Sequence, residues 1–511
     1  MESKTSTATK TAQPSIKRIL AKLSGGAELE EEFLVLLGYL ASISTAYPTY
    51  KDLFEQAASF PLRNKTLKRV LKSLISSVSM GYTYVEACAH VAKMTKNSLV
   101  RNFFERLSQA MAMGNPLPDF FKRELESYRT EYADWYERQI RDLAFVREIF
   151  TAITASITFI SISMMVLILI FPGEPHQLLM AVAIAGIMAM SVIICLAKLV
   201  TPADRLMHGL PRKTKEQRLI RKVLPLSAVT AGVIFFLLYT LIHDLTLVFW
   251  GLSFILTALP FVPAGLLGKV DEREVKTLDQ NFPAFIRSLG STASSVGLSF
   301  VYALKTVKEV KFGSLTRHVK RLYNYLAIGA DPKVAWERFE GDTGSELIHR
   351  YSEVFSDSVS SGGHAEEVGN LINTIFLERL NLRARRHLVY SSLRGLIYPL
   401  QATFIMIITF MNMITKVFLN FMASYSLSTG FIGPPTVSYV ALDAFSLVLM
   451  LTITLADIAA LKIIGLSNMF SLTLEISLLF IVMGASITLT YVGTQMLISR
   501  FIPGVFPAGT S

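Results

Sequence analysis

Apolar residues along this chain follow two patterns. In one they run almost unbroken, over seven stretches at approximately 149–171, 178–200, 223–242, 246–268, 395–420, 438–463 and 471–498. Each is long enough to cross a hydrocarbon core about 30 Å thick, which takes roughly 20 helical residues. Hydrocarbon offers no partner to an exposed backbone, so each stretch is predicted to be a transmembrane helix. In the other pattern, apolar positions recur at helical spacing among charges. "NSLVRNFFERLSQAM" (97–111) puts Leu99, Val100, Phe103, Phe104 and Leu107 on one face, and "GSELIHRYSEVFSDSV" (344–359) does the same with Leu347, Ile348, Tyr351 and Phe355. The two hydrophilic blocks, 28–148 and 269–392, lack the alternation of strands, and each is predicted to be a bundle of about six helices. The fold class that follows is an all-α polytopic membrane protein, with two helical-bundle domains and about seven transmembrane helices.

Composition agrees with this reading. Of 511 residues, 51% are hydrophobic and only 17% charged, with a mean hydropathy of +0.44. Soluble domains rarely combine so apolar a chain with so little charge. The first apolar stretch opens after about 148 residues, too late for a cleaved signal. Residues 1–27, rich in Ser and Thr, read as a disordered cytoplasmic tail.

The placement of Lys and Arg adds an orientation. The short segments 172–177, 243–245 and 421–437 carry none, whereas 204–222 carries seven. By the positive-inside rule the N-terminus, the loop 201–222 and both helical domains face the cytoplasm, and the tail 499–511 lies outside. The net charge of +11 is then a topology signal. Anionic lipid headgroups are expected contacts, and no nucleic-acid partner is expected. Cys88 and Cys195 fall in different compartments of the chain and imply no disulfide.

The two helical blocks resemble each other. Ser44-Thr45-Ala46 falls on Ser291-Thr292-Ala293, Gly81 on Gly329 and Gly114 on Gly362. Both glycine pairs are 33 residues apart, and each block runs through a charged helix into a span. Four spans (149–268) lie between the blocks and three (393–498) follow the second, so both blocks hang on one side as a parallel repeat. In this light "SSGGHAEEVGNL" (360–371) is a helix stop at glycine, followed by a helix whose first turn holds Glu366 and Glu367.

No phosphate loop, HExxH or CxxC occurs, and 8 His with 2 Cys show no metal-ligand pairing. An enzyme is therefore not expected, and neither a cofactor nor a metal. Lys416 and Asp443 lie at similar depth in adjacent spans and are expected to pair. Asp457, Lys462 and Glu475 gather near the inner ends of the last two spans. An ion path through Asp443, Asp457 and Lys416, as in a secondary transporter, is the alternative to structural ion pairing. Arg212, Lys213, Lys215 and Arg218, with Arg379, Arg383, Arg385 and Arg386, form basic clusters suited to an acidic cytoplasmic partner.

Duplicated helical cytoplasmic domains feeding membrane helices, with hairpin glycines in "SMGYTYVEACAHVA" and "SSGGHAEEVGNLI", resemble one family. It is the inner-membrane platform protein of type II secretion and type IV pilus machines, the F-domain type, in the archaeal branch that serves archaella and pili. The resemblance implies a scaffold without covalent chemistry, active as a homodimer. It implies a hexameric cytoplasmic secretion ATPase on the helical domains, and pilin-like subunits on the spans. The ATPase contacts it suggests are the eight basic residues named above.

Overall fold

Glycine at a fixed place decides where four of the helices stop. Helix α3 (Lys65–Ser79) ends at Gly81, where φ is +100°, and the amides of Gly81 and Tyr82 return to Val78 and Ser77. Helix α5 (Ser98–Ala112) ends the same way, with Gly114 and Asn115 returning to Met111 and Ala110. The pattern recurs at Gly329, after α12 (Thr316–Ala327), and at Gly362, after α14 (Glu346–Ser360). In this motif the glycine turns left-handed and its neighbours satisfy carbonyls that the helix leaves open. Side-chain caps then start the next helices. Thr83 and Glu86 form a capping box on α4 (Tyr84–Met94), Asn97 caps α5, and Asp331 caps α13 (Pro332–Thr343).

The structure, a computed structural model, describes residues 26–46, 49–170, 175–241, 246–296, 300–424, 438–466 and 468–501. The expected polar tail, the outer segments 172–177, 243–245 and 421–437, and the final tail lie largely outside the described residues. Among the described residues no strand occurs beyond one isolated bridge, Met207 to Ser345. The chain divides into two compact units, one of residues up to Tyr132 with 202–204, the other of the remainder.

The first unit holds α1 (Gly26–Ile43), α2 (Tyr50–Ser59), α3, α4, α5 and the first part of α6 (Leu117–Ile170). Its core is aromatic: Phe33 packs edge-on against Phe103 and Tyr128, and Tyr39 stacks on Phe60. Such pairs contribute about 0.5–1.5 kcal/mol beyond the area they bury.

The second unit repeats that order of elements. It has α10 (Phe261–Val296), α11 (Phe300–Val307), α12, α13, α14 and the first part of α15 (Ala365–Ser424). Phe282, Phe285, Phe339 and Phe376 pack in its core. The same unit contains the membrane helices: the rest of α6, α7 (Pro175–Val200), α8 (Lys215–Leu241), α9 (Leu247–Ala258), α15, α16 (Tyr439–Ile464) and α17 (Met469–Phe501).

The charged helices that lead from each block into a span are continuous, α6 (54 residues) running through position 148 and α15 (60 residues) through position 392. Among the described residues six helices are long and apolar enough to span, or seven if the pair α9 and α10, bent by 45°, counts as one broken span. The bend falls at Leu259-Pro260, since proline has no amide to continue the α9 ladder. Close backbone approach then holds α10 to α17. A Cβ on Gly265 would lie 2.4 Å from Leu474 N, and one on Gly268 would lie 2.5 Å from the Phe470 carbonyl carbon. By contrast α8 buries only Gln217, Ile220, Ser227 and Ala231 and turns Leu226, Val229 and Phe236 outward.

Two substitutions separate these effects. Gly329→Ala has open space but keeps φ near +81°, and should lower stability by about 1 kcal/mol. Gly268→Ala must move a backbone, so its thermal midpoint in detergent should fall further. Equal midpoints would contradict the close-packed contact.

Candidate functional site

The basic clusters mark the place where the second helical set joins the spans. On α15 the residues Arg379, Arg383 and Arg386 follow an i, i+4, i+7 spacing, which puts them on one helix face. That face is buried. Arg379 is 1% exposed and lies over the Tyr136 ring at 5.8 Å. The Arg383 guanidinium donates to Asp279 Oδ2 at 3.2 Å and to the Arg205 carbonyl at 2.6 Å. Asp279 in turn accepts from the hydroxyl of Ser345, the N-cap of α14. Arg386 donates to the carbonyls of Ile464 (3.0 Å), Ile463 (3.1 Å) and Gly465 (3.3 Å), placing a cation at the C-terminus of α16 where the helix dipole favours one. Burial therefore removes Arg379, Arg383 and Arg386 from any docking surface. Arg385 points the other way, 58% exposed and paired with Glu137.

The loop after α7 is strapped onto the same set. His208 N donates to the Gly344 carbonyl at 3.2 Å, and Glu346 N to the Leu206 carbonyl at 3.1 Å. Arg212 Nε meets Asp342 at 2.8 Å, while Thr214 and Gln217 donate to Asp271 at 2.9 and 3.1 Å. Lys215 and Arg218 remain exposed and Lys213 half-buried. Beneath the strap lies a titratable cluster. The ring of His208 stands 6.2 Å from that of His349, whose Nδ1 lies 2.8 Å from Glu340 Oε2. Burial, helped by the His349 charge, lowers the His208 pKa to about 4. Burial likewise raises the Glu340 carboxyl well above the usual range, and raises Glu353 to about 7.

At the membrane edge Glu475, nearly buried, is shared by Lys269 at 2.8 Å, Arg394 at 3.0 Å and the Tyr398 hydroxyl. Lys462 is exposed and takes no part, so the expected gathering of Asp457, Lys462 and Glu475 does not form. Further along α15, Gln401 donates to Thr454, and Asn412 to Ser446 and the Leu442 carbonyl. Lys416 Nζ lies 2.6 Å from Asp443. Asp457 is 3% exposed, and its Oδ2 has no hydrogen-bond partner. Among the described residues no group of three or more His, Cys, Asp or Glu could hold a metal ion. The sequence reading missed Asp279, Asp271 and Ser345, whose only local signal was Ser345 at a helix start.

Residues 285–417, from the second half of α10 through most of α15, match the family model for Type II secretion system (T2SS), protein F. This stretch of the chain is similar to the F domain of type II secretion systems. It is 30% identical over 329 residues to Flagella accessory protein J of Methanocaldococcus jannaschii, covering 63% of this chain and 58% of that one. It is 27% identical over 321 residues to Flagella accessory protein J of Methanococcus voltae, covering 61% and 57%. The chain thus aligns with less than two thirds of the length of these relatives. No solved structure matches it. The matched F domain contains the buried arginine face and ends at Lys416 and Val417.

Arg383→Ala should cost about 3–5 kcal/mol, because Asp279 stays buried without its cation. Arg385→Ala, at an exposed pair, should cost under about 1 kcal/mol. Thermal unfolding of the two purified variants reads the difference.

Glu353 predicts a pH effect. The folded state holds its proton up to about 7, whereas the unfolded chain releases it near the ordinary carboxylate value of 4.5. Its contribution is full below 4.5 and declines as pH rises through 7. Glu353→Gln should therefore raise the thermal midpoint at pH 8 and leave it nearly unchanged at pH 4.5.

Proposed function

We propose that this chain is the membrane platform of an archaeal archaellum or type IV pilus-like assembly machine. In this reading it docks a cytoplasmic secretion ATPase and couples it to the assembly of pilin-like subunits, as a homodimer with its N-terminus in the cytoplasm. The observation that carries the reading is the matched F domain, whose helix α15 continues without a break from a helical hairpin into a stretch long and apolar enough to span. Such a helix can pass a movement at the hairpin directly into the bilayer. No step of covalent chemistry is part of it, and the scaffold acts by holding and moving its partners.

The basic residues that stay accessible define the docking proposal at this level. They are Lys215 and Arg218, with Lys213, Arg212 and Arg385, the last two already engaged by Asp342 and Glu137. The transporter alternative draws less support. Lys416 and Asp443 close on each other across α15 and α16, which satisfies both charges within the protein.

Deleting the gene should abolish the surface filament while leaving pilin in the membrane, as read by electron microscopy and pilin immunoblotting. Wild-type filaments in the deletion strain would remove the platform reading. Reversing Lys215, Arg218 and Arg385 to Glu should weaken ATPase capture several-fold, and unchanged capture would remove these residues from the contact.

A further inference from the structure

The outward face of α3 carries a stripe of cations that the junction described above does not use. Lys65, Lys68, Arg69 and Lys72 recur at i, i+3, i+4 and i+7, the spacing of a single helix face, and all four are exposed. The opposite face buries Leu67, Val70, Leu71 and Leu74. No acidic residue occurs on α3, and none of the four cations lies within ion-pair distance of a carboxylate among the described residues.

The stripe runs into an apolar tip. Met80 is 75% exposed at the α3 stop and Tyr82 46% exposed one residue beyond the glycine, stacked on His90. Met113, also 75% exposed, occupies the same place at the α5 stop. Ser108, in the last turns of α5, donates to the Val85 carbonyl in the first turn of α4, so both glycine turns lie at one end of the hairpins. Methionine in such a place is costly to leave in water and adapts to irregular partner surfaces.

The second helical set uses its cations differently. On α12, the counterpart of α3, Arg317 pairs with Glu274 at 2.8 Å and Arg321 with Asp342 at 3.6 Å. Its tip keeps Ile328, 78% exposed, but has Ser361 where the first set has Met113. A row of four free cations on one helix, and paired apolar tips, therefore belong to the first set, since α12 has only Lys320 exposed without an ion pair.

We propose that the cationic face of α3, with Met80, Tyr82 and Met113 at its end, is a docking surface for a protein partner bearing an acidic face and an apolar recess. Four uncompensated cations in one row select for negative charge and speed its encounter, and the tip supplies the desolvated anchor. A bilayer is disfavoured because a membrane-surface helix needs an apolar face beside its cations, and the apolar face of α3 is packed in the core. The inference rests on the platform reading for the partner's identity, the secretion ATPase.

The experiment uses the full chain in lipid nanodiscs and a purified secretion ATPase from the same source. Lys65→Glu, Lys68→Glu, Arg69→Glu and Lys72→Glu together should reduce capture at least tenfold, and the four Gln replacements should do so more weakly. Raising salt from about 0.1 to 0.5 M should reproduce the loss in the wild type. Met80→Ser with Met113→Ser should reduce capture without changing its salt dependence. A benzophenone placed on Met80→Cys, in a Cys195→Ser background, should crosslink to the ATPase. Undiminished capture by the Glu and Gln variants, or a crosslink to lipid or nucleic acid alone, would overturn the surface and leave the platform reading intact. Failure of the wild type to capture the ATPase or to crosslink would overturn both.

Discussion

Everything in the second unit leans on one helix face. Arg379, Arg383 and Arg386 are buried, and burying three guanidinium groups is tolerable only because each finds matched partners. Arg383 joins α15 to Asp279 on α10 and to the strap that follows α7; Arg386 joins it to the end of α16. Four segments far apart in sequence are thus fixed to one another by two side chains. Replacing either would leave a carboxylate or a row of carbonyls without compensation in a place water does not reach.

What was legible in the chain was whatever depends on near neighbours. The apolar runs, the amphipathic stripes and the four glycine stops all follow from spacing within one or two turns. The spacing of Arg379, Arg383 and Arg386 also showed that they share a face, but not which way the face turns. Their hydrogen-bond partners lie up to 178 residues away, and a row of arginines beside a span reads equally well as a lipid-facing cluster. Glu475 is a similar case. Lys462 is nearer in sequence, yet Lys269 and Arg394 take the carboxylate because α10 and α15 pack against α17. The bend at Pro260 was visible as a residue, but apolarity alone made 246–268 look continuous.

The likeness of the two helical sets extends to their hydrogen bonds. Each of the four stops makes the same pair of returns, and the residue before each glycine has nearly the same conformation, from Met80 (φ −84°, ψ 0°) to Ser361 (φ −82°, ψ 3°). What differs is the surface hung on that frame. On α12 two of three cations, Arg317 and Arg321, pair within the second set, while all four cations of α3 stay exposed.

The clasp of Arg386 on the end of α16 has a mechanical side. It falls about one third of the way along α15, with 21 residues on the hairpin side and 38 on the other. At about 1.5 Å per residue these are arms of roughly 32 and 57 Å about a fulcrum. A tilt of about 5° there would shift the hairpin end by about 3 Å and the far end by about 5 Å. Small strokes at the hairpin end would thus reach the far end enlarged nearly twofold, with Pro399 the one proline inside the helix, on the longer arm.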